Sequence, residues 1–206
     1  GDALKVDWTV TLGQNSKVKG QNGGIAEATV IGEPEQYRIV ANIPYSITSP
    51  LLRKIFGLEI KPAKVVLLVQ KEMALRITAE PDSSERGFLT LLCEAAAITK
   101  IVRTVKPGSF YPRPKTDSAI IELTLLPNNR LSEIFWPAVE AGFRHKRQIL
   151  ANGLAKDLHL VKSDVVKLLE AEKLNPLIRP QNLSFEDWVA LSKELVPLVT
   201  ATPEKR

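Results

Sequence analysis

Tyr37-Arg38-Ile39-Val40-Ala41-Asn42-Ile43-Pro44-Tyr45 is the stretch that decides the fold. Residues 37–41 form a short β-branched, apolar run of strand length, which stops at the turn-forming tetrapeptide Asn42-Ile43-Pro44-Tyr45. Just beyond, Ser49-Pro50 predicts a helix start: Ser can cap, and Pro suits the first helical position, where its missing N–H is not needed. That helix is expected to reach Phe56, with Gly57 past its end. After Pro62, residues 64–69 are continuously apolar, which predicts a buried strand. Residues 70–80, ended by Pro81, and 87–98 read as helices, and 100–105 and 118–126 read as strands. These two strands flank a loop, 106–117, with Pro at 107, 112 and 114. Alternating strand and helix predicts an α/β layered sheet, parallel with a final antiparallel hairpin.

Upstream, residues 11–36 are rich in Gly, Asn, Gln and Lys and read as a long, mobile connection with a short strand at 28–31. Downstream of Pro127-Asn128-Asn129 the pattern turns to helix alone. Leu131, Phe135, Val139, Gly142, Phe143, Leu150 and Leu154 follow a helical stripe, in which Pro137 marks a kink or the true start. Ser163 is expected to cap a second helix through Leu174. Ser184 with Asp187, and Leu183 with Trp188, have the spacings of a capping box and a hydrophobic staple for a third. The expected organisation is an α/β domain over 1–127 containing a flexible insertion at 11–36, a helical domain over 128–200, and a frayed tail at 201–206.

The 206 residues are 44% hydrophobic and 25% charged, enough to bury a real core. No apolar run approaches the roughly 20 residues of a membrane span. One Cys excludes an internal disulfide framework, and one Cys with two His argues against a metal site, so a cytoplasmic protein is expected. A net charge of +5 suggests a polyanionic partner.

The tetrapeptide sits where open α/β sheets place their ligands, beyond the carboxyl end of a strand. Asn42 offers a side-chain carbonyl. Pro44 holds Ile43 extended, so that its backbone carbonyl points in a fixed direction. Tyr45 offers a flat face. Two acceptors beside an aromatic plane suit a heterocycle with an exocyclic amine, whose positive charge they would stabilise as the nitrogen attacks an electrophile. The plain alternative is a turn with Tyr45 packed on the core. Phe110, in Gly108-Ser109-Phe110-Tyr111-Pro112-Arg113-Pro114-Lys115-Thr116-Asp117-Ser118-Ala119, can present a second aromatic. Base–aromatic stacking contributes roughly 1–3 kcal/mol, and extruding a base costs a few kcal/mol, so two aromatics are of the right size to offset it.

Taken together, Asn42-Ile43-Pro44-Tyr45 with Ser46-Ile47-Thr48-Ser49-Pro50, Gln70-Lys71-Glu72, Arg86-Gly87 and the block 109–119 resemble the KsgA family of rRNA adenine N6-dimethyltransferases. The resemblance implies a Rossmann-like methyltransferase sheet with strand order 3-2-1-4-5-7-6, followed by a small all-helical RNA-binding domain. It implies S-adenosylmethionine-dependent N6,N6-dimethylation of adenines in small-subunit rRNA during ribosome assembly, by a monomer that needs no metal. Asn42, Ile43, Pro44, Tyr45 and Phe110 match the catalytic positions. Gly1-Asp2-Ala3 resembles an acidic motif whose Asp contacts the adenine amino group of the cofactor, so Asp2, Ala3 and Asn42 are its expected contacts. Phe143-Arg144-His145-Lys146-Arg147-Gln148, with Asn152-Gly153-Leu154, Arg179 and Leu183-Ser184, resembles the helical domain. That match favours this family over the macrolide-resistance methylases of large-subunit rRNA.

The family's Gly-rich cofactor loop and ribose-binding acid would lie N-terminal to Gly1. The chain therefore reads as a fragment, with a remnant completed by another chain as the alternative, and is expected to bind the cofactor weakly and to be inactive alone. Without its first strands, the edge of the strand ending at Ala41 is expected to be unpaired. A non-catalytic RNA-binding assembly factor on the same fold is the competing function.

Lys71, Arg86, Arg113, Lys115, Arg144, Lys146 and Arg147 are the expected phosphate contacts, with Arg76 and Lys106 nearby; a solvated face is the plain alternative. His145 and His159 receive no catalytic role. Cys93 reads as an inert core thiol, Asp117 with Ser118 as the fixing point of the Phe110 loop, and Glu72 as structural or RNA-adjacent.

Overall fold

A computed structural model of the chain describes residues 15–19, 25–31, 37–127 and 131–201. Six strands make one sheet in the order β1-β2-β3-β4-β6-β5: β1 Asn15–Lys19, β2 Ile25–Ile31, β3 Arg38–Asn42, β4 Lys64–Gln70, β5 Ala97–Val105 and β6 Ser118–Leu125. Among these only β3 and β4 are parallel, in register from Arg38↔Lys64 to Asn42↔Leu68. β4 with β6 and β5 with β6 are antiparallel, so the parallel part of the sheet is smaller than the sequence suggests. The run β3-β4-β6-β5 reproduces the 4-5-7-6 half of the order implied by the resemblance.

The strand expected at 28–31 is present as part of β2, whereas β1 and the pairing of both strands were not expected. β1 and β2 form an antiparallel hairpin, and β2 pairs antiparallel with β3 from Glu27↔Asn42 to Ile31↔Arg38. The β3 edge expected to be bare is therefore paired. Unsatisfied N–H and C=O groups along a strand edge favour any segment able to pair, and Ile25, Thr29, Val30 and Ile31 give β2 the β-branched content to do so. That content is the signal behind the strand expected at 28–31, which β2 extends back to Ile25.

The chain divides into two compact units, Gly1–Thr78 with Leu92–Asn128, and Ala79–Leu91 with Asn129–Arg206. The second join lies next to the boundary expected from sequence, but Ala79–Leu91 goes with the C-terminal helices and not with the α/β domain. Its side chains explain why. Arg86 donates to Leu183, the Phe88 ring lies 5.4 Å from Trp136, and Leu91 is buried in the helical core.

In the first unit the strands bury alternate residues. Ile39 and Ala41 of β3, Val65, Leu67 and Val69 of β4, and Ile121 of β6 face the core. Leu51, Leu52 and Ile55 of α1 Thr48–Phe56 are buried as well. α2 Lys71–Ile77 follows β4 directly, and α3 Phe88–Ala96 precedes β5.

The second unit holds α4 Phe135–Arg144, α5 Leu150–Asp157, α6 Lys162–Ala171 and α7 Phe185–Ala201. The single stripe read over 131–154 is two helices, and Pro137, third residue of α4, belongs to a helix start. Ser163 is the second residue of α6 instead of its cap, because the helix begins two residues earlier than that cap would place it, with Val161 at the N-cap position. Ser184 and Asp187 do form the reciprocal capping box: Ser184 N–H donates to Asp187 Oδ2 at 2.9 Å, and Asp187 N–H to Ser184 Oγ at 3.0 Å. Leu183 and Trp188, read as a staple pair, are both fully buried. Gly142 and Gly153 permit close approach: an added Cβ would lie 2.7 Å from Trp188 Cη2 and 2.8 Å from the Ala141 carbonyl oxygen, respectively. Among the described residues no helix is long and apolar enough to cross a membrane.

Candidate functional site

The site begins at the carboxyl end of the parallel pair. Asn42, last residue of β3, is exposed, whereas the next residue, Ile43, is 3% exposed and pins the chain to the core. Tyr45–Ile47 makes a 3-10 turn closed by Ile47 N–H to the Pro44 carbonyl at 3.1 Å. That turn runs straight into α1, where Thr48 Oγ1 donates to the Tyr45 carbonyl. The helix thus starts at Thr48, ahead of the expected Ser49-Pro50. Pro50 is its third residue, still within the first turn, whose N–H groups lack intrahelical partners. Gly57 ends the helix at φ −90°, with its N–H on the Arg53 and Lys54 carbonyls, so it does not use the left-handed conformation.

The loop between β5 and β6 supplies the rest. Pro107–Ser109 forms a 3-10 turn and Phe110 leaves it extended. A cleft of ≈ 220 Å³ is lined by residues 42–45 and by Phe110, Tyr111, Pro112 and Pro114. Asn42, Ile43, Pro44, Tyr45 and Phe110, selected from distant parts of the sequence, therefore line one cavity. No carboxylate or imidazole is among these lining residues.

Two features of the site were not legible beforehand. Tyr45 Oη lies 2.7 Å from Ser118 Oγ, and Ser118 is fully buried at the start of β6. Tyr111 lines the cleft while remaining fully exposed; the only sequence signal was an aromatic beside Phe110. Asp117 has the fixing role expected of it. Its Oδ2 accepts from Lys106 Nζ at 2.9 Å and lies 3.8 Å from Lys71 Nζ, and its carbonyl accepts the Lys71 N–H at 3.0 Å. The Lys106 hydrogen bond holds the Asp117 carboxyl below the usual carboxylate range.

The basic residues separate into three groups. Arg113, Lys115 and Arg147 are exposed. Lys71, Arg144 and Lys146 are exposed or half-buried and already engaged. Lys71 is tied to Asp117, Arg144 Nη1 lies 2.9 Å from Asp157 Oδ2, and Lys146 Nζ donates to the Ser84 carbonyl at 2.7 Å. Arg86 is a correction. It is 0% exposed, donating from Nε to the Leu183 carbonyl at 3.0 Å and from Nη1 to the Ala79 carbonyl at 2.8 Å. A buried guanidinium with backbone acceptors is a structural tie, and it has no surface to offer a phosphate.

Asp2 and Ala3 lie outside the described residues. Cys93 is buried, which pushes its thiol pKa upward, and Glu72 pairs with Arg76 one turn along α2. His145 Nε2 lies 3.1 Å from Asp157 Oδ1, remote in sequence from every cleft residue. Among the described residues no three His, Cys, Asp or Glu side chains gather as a metal site would need.

Residues 9–196 match the sequence profile of the family described as ribosomal RNA adenine dimethylase. The chain belongs to that family. Among dimethylases and related proteins, it is 34% identical over 198 residues to a ribosomal RNA small subunit methyltransferase A of Clostridium acetobutylicum, covering 94% of this chain and 64% of the relative. It is 36% identical over 170 residues to the protein of that name in Dehalococcoides mccartyi, covering 80% and 57%. The chain thus spans 64% and 57% of the length of these two curated relatives. A dimethyladenosine transferase from Plasmodium falciparum superposes with a TM-score of 0.69 at 26% identity, over 81% of this chain and 68% of the other. The 23S rRNA methyltransferase ErmE superposes at 0.62 and 23% identity, a likeness of fold alone. The fold is the Rossmann-like methyltransferase sheet of the dimethylases, followed by helices.

Proposed function

We propose that this dimethylase uses S-adenosylmethionine to convert adenines of small-subunit rRNA to N6,N6-dimethyladenine during ribosome assembly, acting in the cytoplasm as a monomer. The observation that carries the reading is the shared cleft of Asn42, Ile43, Pro44, Tyr45 and Phe110. At ≈ 220 Å³ it falls below the roughly 300–1,000 Å³ of sites that take whole drug-sized ligands. Its size therefore suits one flat base and not the entire methyl donor.

The adenine N6 lone pair is conjugated with the ring and is a poor nucleophile. In this reading the Asn42 side-chain carbonyl and the Ile43 backbone carbonyl accept the two N6–H groups, and Tyr45 and Phe110 stack on the base. Both acceptors gain strength as the nitrogen becomes positive, which is where preorganised dipoles lower a barrier. When bound, S-adenosylmethionine would supply an electrophilic methyl group, its sulfonium sulfur leaving as a neutral thioether and the surplus N6 proton passing to solvent. The described residues fit it at one edge, through exposed Asn42 at the carboxyl end of the parallel pair; Asp2 and Ala3 are its further contacts by family resemblance. Exposed Arg113, Lys115 and Arg147 take RNA phosphates. The 32–36% identity to relatives named for the small subunit favours that RNA over large-subunit rRNA.

Single-turnover methylation of small-subunit rRNA by the full-length protein tests the reading. Asn42→Ala, folded by circular dichroism, is expected to lose about 10²–10³-fold in turnover. A folded Asn42→Ala protein methylating at the unsubstituted rate would leave the tetrapeptide as a turn and nothing more.

A further inference from the structure

Tyr111 is 102% exposed and yet lines the same cleft as the base-binding residues. A large aromatic side chain ordinarily gains by burial, so its full exposure at a cleft rim leaves a flat apolar face available to a ligand. We propose that Tyr111 is the stacking platform for the nucleotide adjacent to the target adenine, with Arg113 and Lys115 receiving the phosphates of that same strand. The inference rests on the reading of the cleft as the adenine site.

Three observations support it. First, the backbone is preorganised. Pro112 restricts Tyr111 to extended conformations, Pro112 and Pro114 have fixed φ, and the end of the loop is held by Asp117 to Lys106 and to the backbone of Lys71. Little conformational freedom remains to be lost on binding. Second, Phe110 is extended, at φ −124° and ψ 150°, and neighbouring side chains along extended backbone diverge. Phe110 and Tyr111 thus present their rings in different directions and serve two different bases. Third, the exposed cations next along the loop, Arg113 and Lys115, favour a polyanion over an apolar protein surface.

The test is binding of a small-subunit rRNA hairpin, followed by fluorescence anisotropy, alongside two versions abasic at the nucleotide 5′ or 3′ of the target adenine. Tyr111→Ala is expected to weaken binding of the intact hairpin by about 5- to 150-fold, the range for loss of one base–aromatic stack. Tyr111→Trp should retain binding. On one of the abasic hairpins the unsubstituted protein should lose the same factor, and Tyr111→Ala should cost nothing more. Because Tyr111 packs against nothing, its melting temperature should not change. Unsubstituted affinity in Tyr111→Ala overturns the proposal. An equal loss on intact and both abasic hairpins also overturns it, since the residue would then act through something other than a neighbouring base. Unsubstituted affinity in Tyr111→Ala alongside losses in Tyr45→Ala and Phe110→Ala removes this inference and leaves the adenine site standing. Failure of the unsubstituted protein to bind the hairpin removes both.

Discussion

Tyr45 Oη and Ser118 Oγ lie 2.7 Å apart across 73 residues of sequence, so the tetrapeptide after β3 is tied to the strand that ends the aromatic loop. The tie gives the Tyr45 hydroxyl a structural task in addition to the face offered for stacking. Tyr45→Phe removes one partner and leaves the buried Ser118 hydroxyl without it, a change of about 1–3 kcal/mol. A lower midpoint in urea unfolding is expected for Tyr45→Phe and for Ser118→Ala. The double variant should cost less than the two singles added, because both remove the same bond. Additive losses would show that the two hydroxyls act independently.

Arg86 is expected to matter for stability and not for RNA. Its charge-assisted hydrogen bonds to the Leu183 and Ala79 carbonyls are buried, and bonds to charged groups contribute about 1.5–3 kcal/mol each. Arg86→Met should lower the unfolding free energy by more than about 2 kcal/mol, while the variant that remains folded keeps the salt dependence of RNA binding. A flatter salt slope with unchanged stability would restore Arg86 as a phosphate contact.

The salt dependence itself should reside in the exposed cations. Arg113→Ala, Lys115→Ala and Arg147→Ala are each expected to reduce the slope of log K against log salt by about 0.7–0.9. Arg144 and Lys146, engaged with Asp157 and Ser84, should contribute less than Arg147. Equal slopes for all five single variants and the unsubstituted protein would mean that none of these side chains meets a phosphate.

Gly142 and Gly153 set the approach of α4 to its neighbours. Gly153→Ala places a methyl group 2.8 Å from a backbone oxygen, which cannot rotate away, whereas Gly142→Ala meets the edge of the Trp188 ring. Overpacking of this kind costs typically 1–3 kcal/mol. Thermal denaturation should show Gly153→Ala several degrees below the unsubstituted midpoint. A raised midpoint, as expected for a helix Gly with free space, would contradict the geometry.

Acid should loosen the second unit through Asp157. The His145 hydrogen bond, aided by Arg144, holds its carboxyl below the usual Asp range. The unfolded chain, with an Asp pKa near 3.9, binds the proton first. The stabilisation is therefore complete above about pH 4 and is lost as pH falls through the lower folded value. Asp157→Asn should reduce stability at neutral pH and flatten the acid limb of a stability–pH profile. An acid limb identical to the unsubstituted one would place the titration elsewhere.

The strands and the tetrapeptide were legible because their signals are local: an apolar run, a proline, a capping box. Arg86 was misplaced because a sequence cannot reveal that Leu183 and Ala79 present their carbonyls to it. Segment 79–91 was assigned to the wrong unit for the same reason, as its partners lie some 50–100 residues away. The α1 start shifted because the 3-10 turn at Tyr45–Ile47 makes a side-chain cap unnecessary. Part of β2 is legible at 28–31, but its pairing with β1 and β3 depends on an available edge, which is a property of the sheet and not of the strand's own residues.

That hairpin gives Asn42 two rungs, Glu27 on one side and Leu68 on the other. The residue nearest the chemistry is therefore indexed by a strand on each side. Removing one residue inside Ile25–Ile31 would slide the ladder by one step and reverse which face each β2 residue presents to its neighbour. Length changes within that strand should consequently be felt at Asn42, while changes of composition that preserve its length and β-branched character should pass unnoticed.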